Sequence, residues 1–315
     1  MRVGLVVNPT SGRGRHGGAA RIVTTALVSA GHDVVEAYGT SYDESRRSAT
    51  ALMEDRVGLD ALVVVGGDGT VHLGLDVVAQ TPVPLGIVAV GTGNDLARHL
   101  GLPTRDPNAA ATVITEALAG RGSSIRLDAI HTTRPDGSPV PDEHEWSLAV
   151  CSAGIDAAVN ARANTLSWPA GEGRYVRAVM EELARLAPYG YRITTGSGTW
   201  EGPALLLAAA NTRYFGGGMD LSPEASPTDG LLDVLRLEPV SRRHLLRLLK
   251  QLFKGDHLGD PAVHLERTQL LTIEALPAEQ GWRRPPQPMA DGEAIADLPL
   301  CLEAVRDVVT VLLPA

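Results

Sequence analysis

Apolar residues in the first part of the chain come in short, Val-rich runs at 3–7, 33–37, 60–65 and 84–89. Runs without strict alternation are the pattern of strands buried on both faces. Between them the apolar positions recur at helical spacing over 19–30, 43–54, 71–79 and 109–118. Gly31 and Gly120 follow the first and last of these, where a left-handed residue closes a helix. Strand and helix in alternation predict a parallel α/β sheet over residues 1–124.

The texture then changes. Short β-like stretches lie at 124–130, 146–151, 191–195, 204–210, 231–237 and 269–274, separated by turn-rich linkers, with helical patterns at 174–186 and 242–253. This predicts a second, β-rich domain of antiparallel sheet over 125–299. The tail, 300–313, reads as one or two strands that return to the first domain.

Length and charge narrow the picture. A chain of 315 residues suits two domains, and a formal net charge of -9 argues against a general nucleic-acid binder. Cys151 and Cys301 each sit among apolar residues and form no close pair. They predict two buried thiols in a reducing cytoplasm rather than zinc or disulfide chemistry. No run approaches the ~20 apolar residues of a spanning helix, and the apolar start of the chain is too short for a signal peptide. A lipid partner would therefore be met at a membrane surface.

Candidate chemistry gathers where strands end. The run 60–65 leads into Gly66-Gly67-Asp68-Gly69-Thr70, and 84–90 leads into Gly91-Thr92-Gly93-Asn94-Asp95. Ligands of open α/β sheets bind outside the carboxyl ends of strands. Glycines there allow positive φ and close backbone approach, and the amides opening the next helix, near Thr70 to Leu73, suit phosphate oxygens. Asp68 would repel a triphosphate unless a cation intervenes, so it reads as a Mg²⁺ or hydroxyl-orienting residue. A third loop, Asn8-Pro9-Thr10-Ser11-Gly12, follows the first strand, and Thr40 lies past the second. Gly12-Arg13-Gly14-Arg15-His16-Gly17 satisfies GxGxxG, but four residues separate its first glycine from the strand, which disfavours a dinucleotide turn. His72, His99 and His264 read as structural or surface residues.

With these residues in view, the chain resembles the diacylglycerol kinase catalytic family, which includes bacterial lipid kinases and sphingosine kinases. The resemblance runs nearly end to end: Val7-Asn8-Pro9-Thr10-Ser11-Gly12; Gly66 to Thr70; Pro84-Leu85-Gly86 and Gly91 to Arg98; 211–219; Asp229-Gly230-Leu231-Leu232-Asp233-Val234; and Ala290-Asp291-Gly292-Glu293. It implies a Rossmann-like nucleotide domain, a β-rich sandwich-like second domain, and an active site between them. It implies ATP near Asn8, Pro9, Thr10, Ser11, Gly12, Thr40, Gly66, Gly67, Asp68, Gly69, Thr70, Val71, His72, Thr92 and Asn94. It implies Glu293 as catalytic base, and a structural Mg²⁺ on Asp229 with the carbonyls of Ser226 and Leu231. Thr228 stands where many relatives carry a second acid, and Cys151-Ser152-Ala153-Gly154-Ile155-Asp156 departs from the usual pattern.

A poorly nucleophilic alcohol gains from a carboxylate that accepts its proton, which gives Glu293 a chemical reason; read without the resemblance, Asp-Gly-Glu is an ordinary turn with a solvated glutamate. Asp95 would hold either the metal or the substrate headgroup. Arg243, Arg247, Lys250 and Lys254 form one stripe of a helix opposite Leu245, Leu248, Leu249 and Leu252. The stripe is either a solvated face or a dock for an anionic leaflet. The expected protein is an ATP- and Mg²⁺-dependent lipid kinase, cytoplasmic and transiently peripheral to the membrane. Its rivals are a kinase of a soluble acceptor, as in NAD kinases, and a non-catalytic lipid or nucleotide sensor. Diacylglycerol, sphingoid bases, monoacylglycerol and phosphatidylglycerol all remain open as acceptors.

Overall fold

The computed structural model describes residues 1–7, 15–37, 39, 41–140, 145–168, 172–278 and 281–315. Strands β1 (Arg2–Val7), β2 (Asp33–Ala37), β3 (Ala61–Gly66) and β4 (Leu85–Ala89) run parallel in the order β2-β1-β3-β4. They alternate with helices α1 (Arg15–Ser29), α2 (Tyr42–Glu54), α3 (Asp68–Val78), α4 (Asp95–His99) and α5 (Pro107–Leu118). Side-chain direction along β3 sets the layers. Leu62 and Val64 share a core with Leu73, Leu75 and Val78 of α3, while Val63 and Val65 share one with Val23 and Leu27 of α1 and Ile114 of α5. Successive strand residues point to opposite faces, so a strand covered on both must be apolar throughout, and β3 is wholly buried.

The chain continues through β5 (Ser123–Thr133), β6 (Trp146–Ser147), β7 (Val150–Gly154), α6 (Ile155–Thr165) and α7 (Glu172–Ala184). Then come β8 (Tyr189–Thr195), β9 (Gly198–Ala204), β10 (Leu206–Ala210), β11 (Tyr214–Phe215), β12 (Met219–Asp220), β13 (Leu232–Leu237) and α8 (Arg242–Leu252). The last elements are β14 (Val263–Thr268), β15 (Leu270–Ala275), β16 (Met289–Ala290), β17 (Glu293–Ala294) and β18 (Leu300–Leu313). The β18 strand extends the first sheet. It meets β4 in parallel at Val311 and Leu85, and pairs antiparallel with β5 and β15; β8 and β9 complete that edge. A second sheet, β14-β13-β10-β7-β16-β17, is antiparallel. Tyr191, Ile193, Leu271, Leu300 and Leu302 of the first sheet share a core with Ala153, Leu207, Ala209 and Val234 of the second.

Several expectations shift. The run 204–210 is not one strand: β9 belongs to the first sheet and β10 to the second. The chain crosses at Leu205, whose amide donates to Leu237 O and whose carbonyl accepts from Ile155 N. A strand that changes sheets needs such a corner. The α3 helix begins at Asp68, three residues before its apolar period, and α1 begins at Arg15. Helix α6 and strand β14 went unread, because α6 carries mostly alanine at its apolar positions and β14 is a half-polar edge strand.

Midway along β18 the register with β5 shifts between Val305 and Val309, where Asp307 takes φ 58°. Asp128, on β5 and 2% exposed, meets this bulge: Oδ1 accepts from Asp307 N at 3.0 Å and Oδ2 from Gly230 N at 2.7 Å. Because β18 joins the two halves of the first sheet, its core residues carry much of the fold. Leu302, with 0% exposure, is expected to cost ~2–5 kcal/mol on substitution with alanine. The loss is read as a lower urea midpoint with an unchanged slope.

Candidate active site

Two glycine loops touch backbone to backbone at the carboxyl end of the first sheet. A Cβ on Gly91 would lie 2.3 Å from the Cα of Gly67, so only glycine fits. None of the glycines of 66–69 has positive φ; Gly67 is there for this closeness and N-caps α3 at φ -100°, and a Cβ on Gly66 would collide with the Thr70 side chain. The amides of Thr70 and Val71 already donate to Gly67 O. The amides of Asp68 and Gly69 come before these, at the very start of α3 and earlier than the apolar pattern indicates.

Asp68 binds the loops together. Its Oδ2 accepts from Asn94 N at 2.8 Å and its Oδ1 from Asp95 N at 2.9 Å. Burial pushes its carboxyl up, and the amides of Asp95 and Asn94 hold part of that shift back. Asn94 sits in the left-handed region, φ 55°, and donates from Nδ2 to Gly91 O at 2.9 Å. Asp95, raised by burial, accepts at Oδ2 from Gly217 N at 2.8 Å, which ties the β11–β12 hairpin to this loop. Its Oδ1 is buried without a partner among the described residues.

A second clamp comes from the β16–β17 turn. Asp291, at φ 50°, accepts at Oδ2 from Leu148 N (2.7 Å) and at Oδ1 from Ala149 N (2.9 Å) and Val150 N (3.1 Å). The buried ring of His72 faces it, Nδ1 to Oδ2 at 3.3 Å. On the ring's other side Asp76 lies 3.9 Å from Nε2 and accepts from the Tyr42 hydroxyl at 3.0 Å. Burial alone would lower His72, but the Asp291 hydrogen bond and the charges of Asp76, Asp291 and Glu293 raise it above the usual histidine range. Burial would raise Asp291, yet His72 and the amides hold it low. Two residues on, Glu293 reaches α3: a Cβ on Gly69 would lie 3.4 Å from Glu293 Oε1. Although Glu293 as a residue is exposed, the protein packed around its carboxyl strips part of its water and pushes it up, against the pull of His72.

Asp68, Val71, His72, Thr92, Asp95 and Asp291 line one cleft of about 810 Å³. Beside it lies an apolar cavity of about 270 Å³, walled by leucines including Leu245, Leu248, Leu249 and Leu252 of α8. Asp156, Tyr175 and Phe215 belong to both walls. Burial pushes the Asp156 carboxyl up to about 6, with the Ser152 hydroxyl offsetting part of the shift. Neither Asp156 oxygen has a partner in full hydrogen-bonding geometry among the described residues.

The chain matches the family described as the diacylglycerol kinase catalytic domain over residues 2–126, and the YegS C-terminal NAD kinase beta sandwich-like domain over 149–313. It is 38% identical to a diacylglycerol kinase of Mycobacterium tuberculosis, over 99% of this chain and 95% of that one. The chain belongs to the diacylglycerol kinase family. A protein of Stenotrophomonas maltophilia described as a probable lipid kinase, YegS-like, is 32% identical over 82% of this kinase and 80% of its own length. In fold the kinase is similar to a diacylglycerol kinase of Bacillus anthracis: TM-score 0.67, 18% identity, 99% and 96% of the two chains. A yeast NADH kinase has the same fold: TM-score 0.55, 12% identity, 100% and 84% coverage.

Of the site residues expected from sequence, Asp68, Val71, His72, Thr92 and Asp95 line the cleft, and Glu293 meets its edge. Asn8, Pro9, Thr10, Ser11, Gly12 and Thr40 lie outside the described residues. Ser226, Asp229 and Leu231 sit together on one turn that does not line the cleft. There Asp229 Oδ1 accepts from Leu231 N at 2.9 Å, and its carbonyl accepts from Arg306 Nη2 at 2.7 Å. The guanidinium lies over Gly230, its Nε 2.3 Å from where a Cβ would stand. The cleft also fits Mg²⁺: Asp95 Oδ1 is an orphaned carboxylate oxygen among the described residues, and Asp68 and Asp95 both flank Gly93. Sequence reasoning passed over Asp291 and Asp156, although Asp291 stands in the same Asp-Gly-Glu run as Glu293.

The His72–Asp291 pair links stability to pH. The raised His72 contributes fully below its unfolded value of ~6.5 and loses that contribution as pH rises through its folded pKa. The lowered Asp291 contributes until pH falls through its own depressed value. The His72→Gln variant is therefore expected to lower Tm more at pH 6 than at pH 9, measured by thermal denaturation at both.

Proposed function

We propose that this kinase transfers the γ-phosphoryl group of ATP to the hydroxyl of a diacylglycerol-like lipid. One juxtaposition carries the reading: a polar cleft with paired glycine loops shares Asp156, Tyr175 and Phe215 with an apolar cavity. An acceptor with a polar head and a hydrocarbon tail uses both chambers, whereas a soluble acceptor has no use for the second.

In this reading the lipid hydroxyl gives its proton to Glu293 while its oxygen bonds to the γ-phosphorus. The bond from that phosphorus to the β–γ bridging oxygen breaks, and ADP leaves with the electron pair. The amides of Asp68 and Gly69, together with the loop of Asn8 to Gly12, Thr40, Thr92 and Asn94, bind the nucleotide. Asp68 and Asp95 would hold Mg²⁺, which when bound neutralises phosphate charge. Asp291 and His72 fix the turn on which Glu293 stands. The turn at Ser226, Asp229 and Leu231, with Arg306 on the Asp229 carbonyl, would hold a structural Mg²⁺.

The same reading gives α8 its role. Leu245 and Leu248 are buried over the apolar cavity, while Arg243, Arg247, Lys250 and Lys254 stand exposed on the outer face. Leu246 and Phe253 beside them are 48% and 61% exposed, as are Val176 and Met180 of α7 at 61% and 62%. Cations with exposed apolar residues at a cavity wall suit an anionic leaflet, from which a lipid enters.

With labelled ATP, Mg²⁺ and vesicles carrying diacylglycerol, Glu293→Gln is expected to lose about 10²- to 10⁴-fold in kcat while Tm holds. Because the base must be ionised, wild-type activity falls as pH drops through its pKa, which burial places above the ordinary glutamate value. Full turnover by the variant ends the assignment. Reversal of Arg243, Arg247, Lys250 and Lys254 together is expected to weaken co-sedimentation with anionic vesicles at least about tenfold, at ~1 kcal/mol per cation, and to leave neutral vesicles unaffected.

A further inference from the structure

Arg105 has a backbone that its side chain makes unfavourable. It sits at φ 60°, in the left-handed region that suits glycine, and it lies on the rim of the polar cleft. The surrounding structure holds it there. Arg105 N donates to Ala89 O at 2.7 Å, and Thr104 bridges Ala89 in parallel, so this segment is stitched to the carboxyl end of β4. That end is where the Gly91 loop begins. The guanidinium then donates from Nη2 to Thr92 O at 3.1 Å, with no carboxylate paired to it among the described residues. A guanidinium has five N–H donors in a planar fork, so one anchoring bond leaves most of them open toward the cleft.

The charge of the cleft gives this cation a task. Asp68, Asp95, Asp156 and Asp291 all line it, and Arg105 and Arg174 are its permanently charged bases. Arg174 stands next to Tyr175, on the side of the apolar cavity, whereas Arg105 touches the Thr92 loop. A strained residue kept against the backbone's preference, at a ligand crevice and with an open fork, marks a functional position.

We propose that Arg105 is a phosphate-binding residue, preset by its left-handed backbone and its bond to Thr92 O to grip the nucleotide's triphosphate across the Gly91 loop. This rests on the reading of the cleft as an ATP site. Arg105 thus offsets carboxylate repulsion with a charge that no pH in the working range removes.

The test is the Arg105→Gly variant, which keeps the backbone conformation and removes the fork. Calorimetric titration of wild type and variant with ATP, ADP and AMP in Mg²⁺ is the readout, with thermal denaturation alongside. The variant is expected to hold or raise Tm by about 1–3 °C and to lose at least about tenfold in ATP affinity, with a smaller loss for AMP. Unchanged ATP affinity in a folded variant overturns the proposal, as does an equal loss for all three nucleotides. A lipid phosphomonoester in detergent micelles is the second arm: a loss confined to it overturns the assignment to nucleotide. If the wild type binds no ATP, the nucleotide reading itself fails, which is a different result from a wild type that binds and a variant that binds equally well.

Discussion

Asp291 accepts three backbone amides, at residues 148 to 150, and faces the buried ring of His72. Each of these partners comes from a different part of the chain. The amides open β7 in the second sheet, the imidazole belongs to α3 below the first, and the carboxylate sits on the turn that carries Glu293. A buried carboxylate is tolerable only when its oxygens are filled and a positive charge answers it. Meeting both conditions here fixes the distance between α3 and the second sheet, and so the width of the cleft. Glu293 reaches Gly69 because this clamp leaves it little choice.

The second constraint is steric. Gly67 and Gly91 meet without side chains, and Asp68 then bonds across the seam to the amides of Asn94 and Asp95. The seam brings the carboxyl ends of β3 and β4 together at one end of the cleft. It also gathers carboxylates that burial pushes up, Asp68 and Asp95 among them. Such a group of acids is stable only near cations. His72, Arg105 and Arg174 supply part of that charge from the chain itself, and a divalent ion with its phosphates fits the remainder.

The apolar cavity follows from the way α8 is built. Leu245 and Leu248 face inward and pack with Leu237 of the second sheet and Leu183 of α7. Beside that contact a cavity remains, lined by Leu249, Leu252, Leu235 and Phe215 of the three-glycine hairpin. Gly217 of that hairpin bonds to Asp95, so one short loop touches both the nucleotide seam and the wall of the cavity. Chemistry on one side and lipid on the other are thus joined through a few backbone contacts.

Local pattern sufficed for the parallel strands of the first sheet, each placed within one residue, because a strand buried on both faces must be apolar at every position. It also sufficed for the glycine loops, the Asp-Gly-Glu turn and the two faces of α8, since all of these are short-range signals. It did not reveal that β9 and β10 belong to different sheets, that α3 starts at Asp68, or that Arg105 carries a left-handed backbone. Nor did it reveal the partners of Asp291, which lie more than a hundred residues off in the chain. Hydrogen bonds between residues more than a hundred apart leave no trace in periodicity. Burial, which moves the carboxyl and imidazole pKa values here, belongs to the packed chain and to no single residue, so only the tertiary structure decided the chemistry of the cleft.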